Sequence, residues 1–145
     1  TSMTDKEIQR RMSTALDQIP TAIGANNHQG SKGSADQRIM ANVARILKER
    51  NLFFIDSRTT KETVAESTME VYGVPTARRK IFLDNEDDEE KITEQLMELV
   101  QEAKESDTAI GIGHVRPKTL NVLKKHIPEL QKKGFKFEFV SKMLH

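Results

Sequence analysis

The sequence predicts an α/β protein in which mostly parallel strands alternate with helices, and three observations lead there. Short apolar runs recur between segments of helical periodicity, the central runs are nearly continuous in apolar character, and most give way to polar or small residues. Continuous apolar runs suit strands buried on both faces, and the intervening helices supply the crossovers that parallel pairing requires. The unit recurs every ~28–31 residues, the length of a strand with its crossover helix. No side-chain code repeats between units, so the period is architectural and no solenoid is implied.

The elements follow in order. Thr4 and Glu7 make a capping box ahead of Ile8, Met12, Ala15, Leu16 and Ile19, predicting an amphipathic helix that ends before Pro20. Residues 21–25, TAIGA, read as a short buried strand; Ser34 or Asp36 then caps a helix carrying Ile39, Val43, Ile46 and Leu47 on one face. LFFID at 52–56 is the next strand. It precedes a helix with Val64, Ala65, Met69 and Tyr72, which Gly73 terminates in the left-handed conformation. KIFLD at 80–84 leads to a helix with Ile92, Leu96, Val100 and Ala103. TAIGIG at 108–113 leads through Pro117, suited to a first helical turn, to a helix with Leu120, Leu123, Ile127 and Leu130. After Gly134, FKFEFV at 135–140 alternates as a last strand with one wetter face, as at a sheet edge.

About five strands are too few for a closed eight-fold barrel, which takes ~250 residues. The chain therefore reads as an open sheet or as part of a larger barrel-like domain, and opening on a helix favours the second. No interior linker or low-complexity run divides it, so residues 1–145 are expected to form one domain.

Composition narrows the function classes. With 23 Lys and Arg against 22 Asp and Glu, and no basic stripe interleaved with aromatics, a nucleic-acid partner is not expected. The absence of cysteine excludes disulfides, Cys-ligated zinc and a thiol nucleophile. No apolar run is long enough for a transmembrane segment, and the first residues carry no apolar signal core.

Parallel α/β folds place ligands at the carboxyl ends of their strands. The residues just past each strand are Asn26, Asn27 and His28; Asp56, Ser57, Arg58 and Thr59; Asp84 and Asn85; His114 and Arg116. These are expected to share one rim. Asp56, Ser57, Thr59, Asp84, Asn85 and Asp87 also precede helices, where capping favours such residues regardless of chemistry. His28 and His114 are not typical caps. Imidazole there suits ligation of Zn²⁺, Ni²⁺ or Fe²⁺, or proton exchange near neutral pH. His126 and His145 read as structural or incidental. Gly111 and Gly113 permit close approach by a neighbour or a ligand, but match neither a Walker loop nor the dinucleotide fingerprint, and no Gly-x-Ser-x-Gly elbow is present.

Four ordered motifs, GANNHQGS, FFIDSRT, FLDNEDD and GHVRP, resemble the divergent polysaccharide deacetylase family, a bacterial branch of the carbohydrate deacetylase superfamily. The resemblance implies a distorted (β/α) barrel that removes acetyl groups from a polysaccharide or related glycan by metal-activated water, with a divalent metal, zinc being expected, as cofactor. It places His28 and Asp84 at the metal, His114 as general acid, Asp56 and Arg58 in catalytic roles, and Asn27, Asn85 and Arg116 toward a carbohydrate substrate. It also implies an extracytoplasmic location and that the chain is the C-terminal portion of a longer barrel. Two departures stand out. Lys32 occupies the position of the superfamily's usual second histidine, and the aspartates expected to bind metal and activate water are absent. The chain by itself is thus expected to be incomplete for turnover. The alternatives are a catalytically silent glycan-binding module of the cell envelope, or a phosphate-binding protein with its anion near Gly113 and Arg116.

Overall fold

The computed structural model describes residues 3–27 and 31–145. The chain divides into two compact units, Thr1–Arg78 with Leu144–His145, and Arg79–Met143. Parallel strands alternate with helices in both, as the sequence predicts, and no closed barrel forms among the described residues.

In the first unit, α1 (Asp5–Asp17) starts at Thr4, whose hydroxyl accepts from Glu7 N–H at 3.2 Å. Strand β1 (Gly24–Asn26) precedes the short α2 (Ser31–Ser34) and α3 (Gln37–Glu49). The cap of α3 is Asp36, not Ser34: its carboxylate accepts from Arg38 and Ile39 N–H. Strand β2 (Phe53–Asp56) and α4 (Ala65–Val71) follow. Gly73, with φ 72°, takes the left-handed position beyond α4 that side-chain-bearing residues rarely adopt.

Strand β3 (Thr76–Arg78), not anticipated from sequence, completes a parallel sheet of order β1-β2-β3, with Ala25 opposite Phe54 and Ile55 opposite Ala77. Thr76 and His145 exchange both backbone hydrogen bonds at 2.9 Å, which anchors the last two residues in this unit. Met40, Ala44 and Leu47 of α3, Leu52 and Phe54 around β2, and Ala65 and Met69 of α4 form the core, with Met12 and Leu16 of α1 packed against it. Of the stripe read from spacing, Leu47 lies in this core and Val43 packs against it, while Met40 and Ala44, one position on from Ile39 and Val43, take the inward places.

In the second unit, β4 (Ile81–Phe82) and β5 (Gly111–Ile112) pair in parallel, Ile81 opposite Gly111. Between them runs α5 (Glu89–Ser106), capped by Asp88, whose carboxylate accepts from Glu90 and Lys91 N–H; Glu89 and Glu90 add negative charge to its positive end. After β5 comes α6 (Pro117–Lys132), with Pro117 in its first turn. Leu83, Ile92, Leu96, Val122 and Leu130 make a second core.

The expected strand at 135–140 is not formed. The segment runs without a ladder and ends in a 3₁₀ turn, Val140–Lys142. Alternation specifies two faces of a strand, but a strand also needs a neighbour offering backbone donors and acceptors, and among the described residues none lies beside it.

Leu47 is fully buried, whereas Val71 is 81% exposed. Leu47→Ala is expected to lower the unfolding free energy by about 2–5 kcal/mol. Val71→Ala should change it by less than ~0.5 kcal/mol. Urea titration followed by circular dichroism checks both.

Candidate functional site

Each unit gathers polar groups at the carboxyl end of a strand. In the first, Asp56 closes β2 and is fully buried. One carboxylate oxygen accepts from Arg58 N–H at 2.9 Å and from the Asn27 amide at 3.4 Å; the other accepts from the Thr63 hydroxyl at 2.9 Å. Asn27 is also held at both ends, its Nδ2 donating to Ser34 Oγ at 2.7 Å and its Oδ1 accepting from Ser57 N–H at 2.7 Å. Asn26 donates to Ser57 Oγ at 3.1 Å. Arg58 sits at φ 51°, a left-handed conformation uncommon for a residue with a side chain; its amide bond to Asp56 helps hold that turn.

Asp56 thus ties the loop after β1, at Asn27, to the loop after β2, at Arg58. His28, the sequence's leading metal ligand, lies outside the described residues.

The second unit carries the arrangement with the clearest chemistry. Asp84 follows β4, and its side chain is 0% exposed. Its Oδ1 lies 2.8 Å from His114 Nδ1; its Oδ2 accepts from His114 N–H at 2.6 Å and from the Thr119 hydroxyl at 2.7 Å. Burial pushes the Asp84 carboxyl toward the neutral form. The His114 ring, the Thr119 hydroxyl, the His114 amide and attraction to His114 charge together outweigh it, so the pKa falls below that of an ordinary aspartate. The carboxylate is therefore ionised at neutral pH, and Nδ1 of His114 donates to it.

The His114 side chain is 46% exposed, so buried anchor and accessible ring are combined in one pair. Arg116 closes the turn, donating from its guanidinium to Asp84 C=O at 3.3 Å and from its amide to His114 C=O at 2.9 Å. Asn85 is exposed beyond the strand. A Cβ at Gly113 would lie 3.3 Å from Thr119 Cγ2 and 3.4 Å from Leu83 Cδ1. The close neighbours permitted there are thus packing side chains.

Sequence reasoning brought Asp84, His114 and Arg116 to the same strand ends but missed Thr119. Its signal was a hydroxyl in the first turn of α6, on a helix whose apolar face is otherwise aliphatic. The reading of Asp84 as a metal ligand meets a carboxylate whose two oxygens already serve His114 and Thr119. A second group was also missed: Glu66 and Glu70, four apart on α4, and His145, whose ligand-type atoms lie within 4.8 Å of one another. His145 Nε2 is 3.0 Å from Glu70 and 3.5 Å from Glu66, within ordinary side-chain hydrogen-bond range.

Because the folded Asp84 carboxyl is more acidic than in the unfolded chain, where the ordinary value is 3.8, its ionised form stabilises the fold fully above that pH. The contribution fades as pH falls through the lower folded value. Asp84→Asn is expected to cost about 1–3 kcal/mol at neutral pH. The gap from wild type should hold down to about pH 5 and narrow below about pH 4, measured by urea unfolding at each pH.

The sequence pattern described as divergent polysaccharide deacetylase matches residues 1–144. An uncharacterised protein of Haemophilus influenzae Rd is 36% identical over 130 residues, covering 88% of this chain and 46% of that protein. The uncharacterised Escherichia coli K12 protein YibQ is 35% identical over 128 residues, covering 88% and 40%. The chain therefore spans less than half the length of these curated relatives. The crystal structure of an uncharacterised Agrobacterium tumefaciens C58 protein superposes with a TM-score of 0.93 at 22% identity, covering 98% of this chain and 58% of that one, which supports the fold alone. On the match across nearly its whole length, with two relatives above one-third identity, the chain belongs to the divergent polysaccharide deacetylase family.

Proposed function

We propose that the protein contributes to a hydrolase that removes acetyl groups from a polysaccharide or related glycan, with His114 as its proton carrier. The observation that carries this reading is the buried, ionised Asp84 bound to His114 Nδ1 beneath a half-exposed ring. When water adds to an acetyl carbonyl, the departing amine or alkoxide needs a proton, and an imidazolium delivers it from Nε2. Asp84 fixes the tautomer and ring orientation and stabilises the imidazolium, acting as a positioning residue. Arg116 and Asn85 are assigned to the substrate in this unit. In the first unit, Asp56 organises Asn27 and Arg58, assigned to substrate and transition-state contacts.

A divalent cation, zinc in the first instance, belongs to the reading through His28, and when bound it supplies the activated water. Asp84, also expected at the metal, is assigned here to orienting His114, because its buried side chain accepts hydrogen bonds from His114 and Thr119 on both oxygens. The family's association with the cell envelope supports an extracytoplasmic setting, and no helix among the described residues is long and apolar enough to cross a membrane.

One observation favours a second reading, a silent glycan-binding module. The two rim carboxylates, Asp56 and Asp84, are buried and committed to internal hydrogen bonds. Elemental analysis of the longest native form beside its His28→Ala variant separates the two. Near-stoichiometric metal that the folded variant loses supports the hydrolase; no metal in either folded protein after metal is supplied supports the binding module.

His114→Gln in the active form is expected to reduce turnover of N-acetylated oligosaccharides about 10²- to 10⁴-fold. Turnover of 4-nitrophenyl acetate should fall far less, because its leaving group departs without a proton. Equal losses on both substrates would show that His114 acts elsewhere than on the leaving group.

A further inference from the structure

Away from the strand ends, the first unit gathers a mixed set of donor atoms on the face of α4. Glu66 and Glu70 are four apart in this helix and so project from one side of it. His145 is brought to that side by the paired backbone bonds it exchanges with Thr76 of β3, the strand that follows α4. His145 Nε2 and one carboxylate oxygen from each glutamate all lie within 4.8 Å of one another.

Two observations point to a cation among them. The first is an unmet oxygen: Glu66 Oε2 is shielded from solvent and accepts no hydrogen bond, although His145 Nε2 is only 3.5 Å away. The nearby guanidinium of Arg78 faces the other oxygen, Oε1, with its Nε at 3.8 Å, beyond hydrogen-bond distance. A buried carboxylate oxygen without a donor is costly, and a bound cation removes that cost. The second is spacing. Zn²⁺ takes imidazole nitrogen and carboxylate oxygen at ~2.0–2.2 Å, which sets neighbouring donor atoms about 3.0–3.5 Å apart. His145 Nε2 already stands 3.0 Å from Glu70 Oε1 and 3.5 Å from Glu66 Oε2. The Glu70 and His145 side chains are half-exposed, which leaves water access to further coordination positions.

We propose that Glu66, Glu70 and His145 hold a divalent cation, Zn²⁺ in the first instance, and that the ion fastens His145 to α4. An imidazole nitrogen beside two carboxylates suits Zn²⁺ better than Mg²⁺ or Ca²⁺, which favour oxygen ligands alone. The site shares no residue with the strand-end clusters of Asp56 and Asp84 or with His28. It stands whether or not the protein hydrolyses acetyl groups.

The test is a calorimetric Zn²⁺ titration of the longest native form carrying His28→Ala, freed of metal with a chelator, so that the ion measured is not the one assigned to His28. One equivalent is expected to bind. Glu66→Gln and His145→Gln should each weaken binding at least ~10-fold, the least that loss of a group supporting a metal costs. Glu90→Gln, which removes an exposed carboxylate in α5, should leave the affinity unchanged. In ¹⁵N NMR of the His28→Ala protein, the His145 Nε2 resonance should shift as Zn²⁺ is added. Three results overturn the proposal: no binding by the folded protein at ~1 mM Zn²⁺, an affinity unchanged in folded Glu66→Gln and His145→Gln, or Zn²⁺ that binds without moving His145 Nε2. The NMR measurement leaves all three ligands in place, so it decides the matter even where their variants do not fold.

Discussion

A carboxylate buried at the end of a strand must be surrounded by donors, and both units are organised around that requirement. An ionised carboxyl removed from water loses its hydration, and survives only where hydrogen bonds and positive charge replace it. In the first unit Asp56 draws in Asn27, the Arg58 amide and the Thr63 hydroxyl. In the second Asp84 draws in the His114 amide, the His114 ring and the Thr119 hydroxyl. Each cluster joins a strand end to the start of a helix: Thr63 also accepts from Ala65 N–H in α4, and Thr119 lies in the first turn of α6. The loops are fixed by the same contacts that satisfy the charge.

The clusters differ in what they leave accessible. The donors to Asp56 include two backbone-shaping groups and an amide that is itself held at both ends, so the charge is spent on loop geometry. The donors to Asp84 include an imidazole whose other face is open enough to meet solvent. The second cluster therefore holds a partly exposed imidazole in place through Nδ1, whereas the first holds only loop groups. Thr119 completes it by occupying the other carboxylate oxygen, which keeps Asp84 from turning away from the ring.

Parallel pairing is the second constraint. Each edge strand exposes a row of backbone groups, and the two units treat their edges differently. The outer edge of β3 meets Thr76's partner, His145, in a pair of backbone bonds, which explains why the last two residues belong with the first unit. The far edge of β5 has no strand beside it among the described residues, and residues 135–140 have the alternation of a strand without its ladder.

Sequence by itself determined what depends on near neighbours along the chain. The caps at Thr4 and Asp36, Pro117 in its first turn, Gly73 beyond α4 and the inward face of α5 follow from spacings of a few residues, whereas α3 and α6 bury Met40, Ala44 and Val122 beside the expected stripes and leave Leu120 exposed. The placing of Asp56, Asp84 and His114 at strand ends followed from sequence as well. Tertiary structure decided the rest. Strand β3 is three residues long and follows Pro75, too short for a periodic signal, and exists because β2 offers it a ladder. The strand expected at 135–140 has the pattern but lacks that partner. Thr119 and the role of Asp84 were hidden because the hydrogen-bond partners come from far along the chain: His114 meets Asp84 across 30 residues and Thr119 meets it across 35. Local periodicity encodes which face a residue occupies; only the folded chain decides which group it finds there.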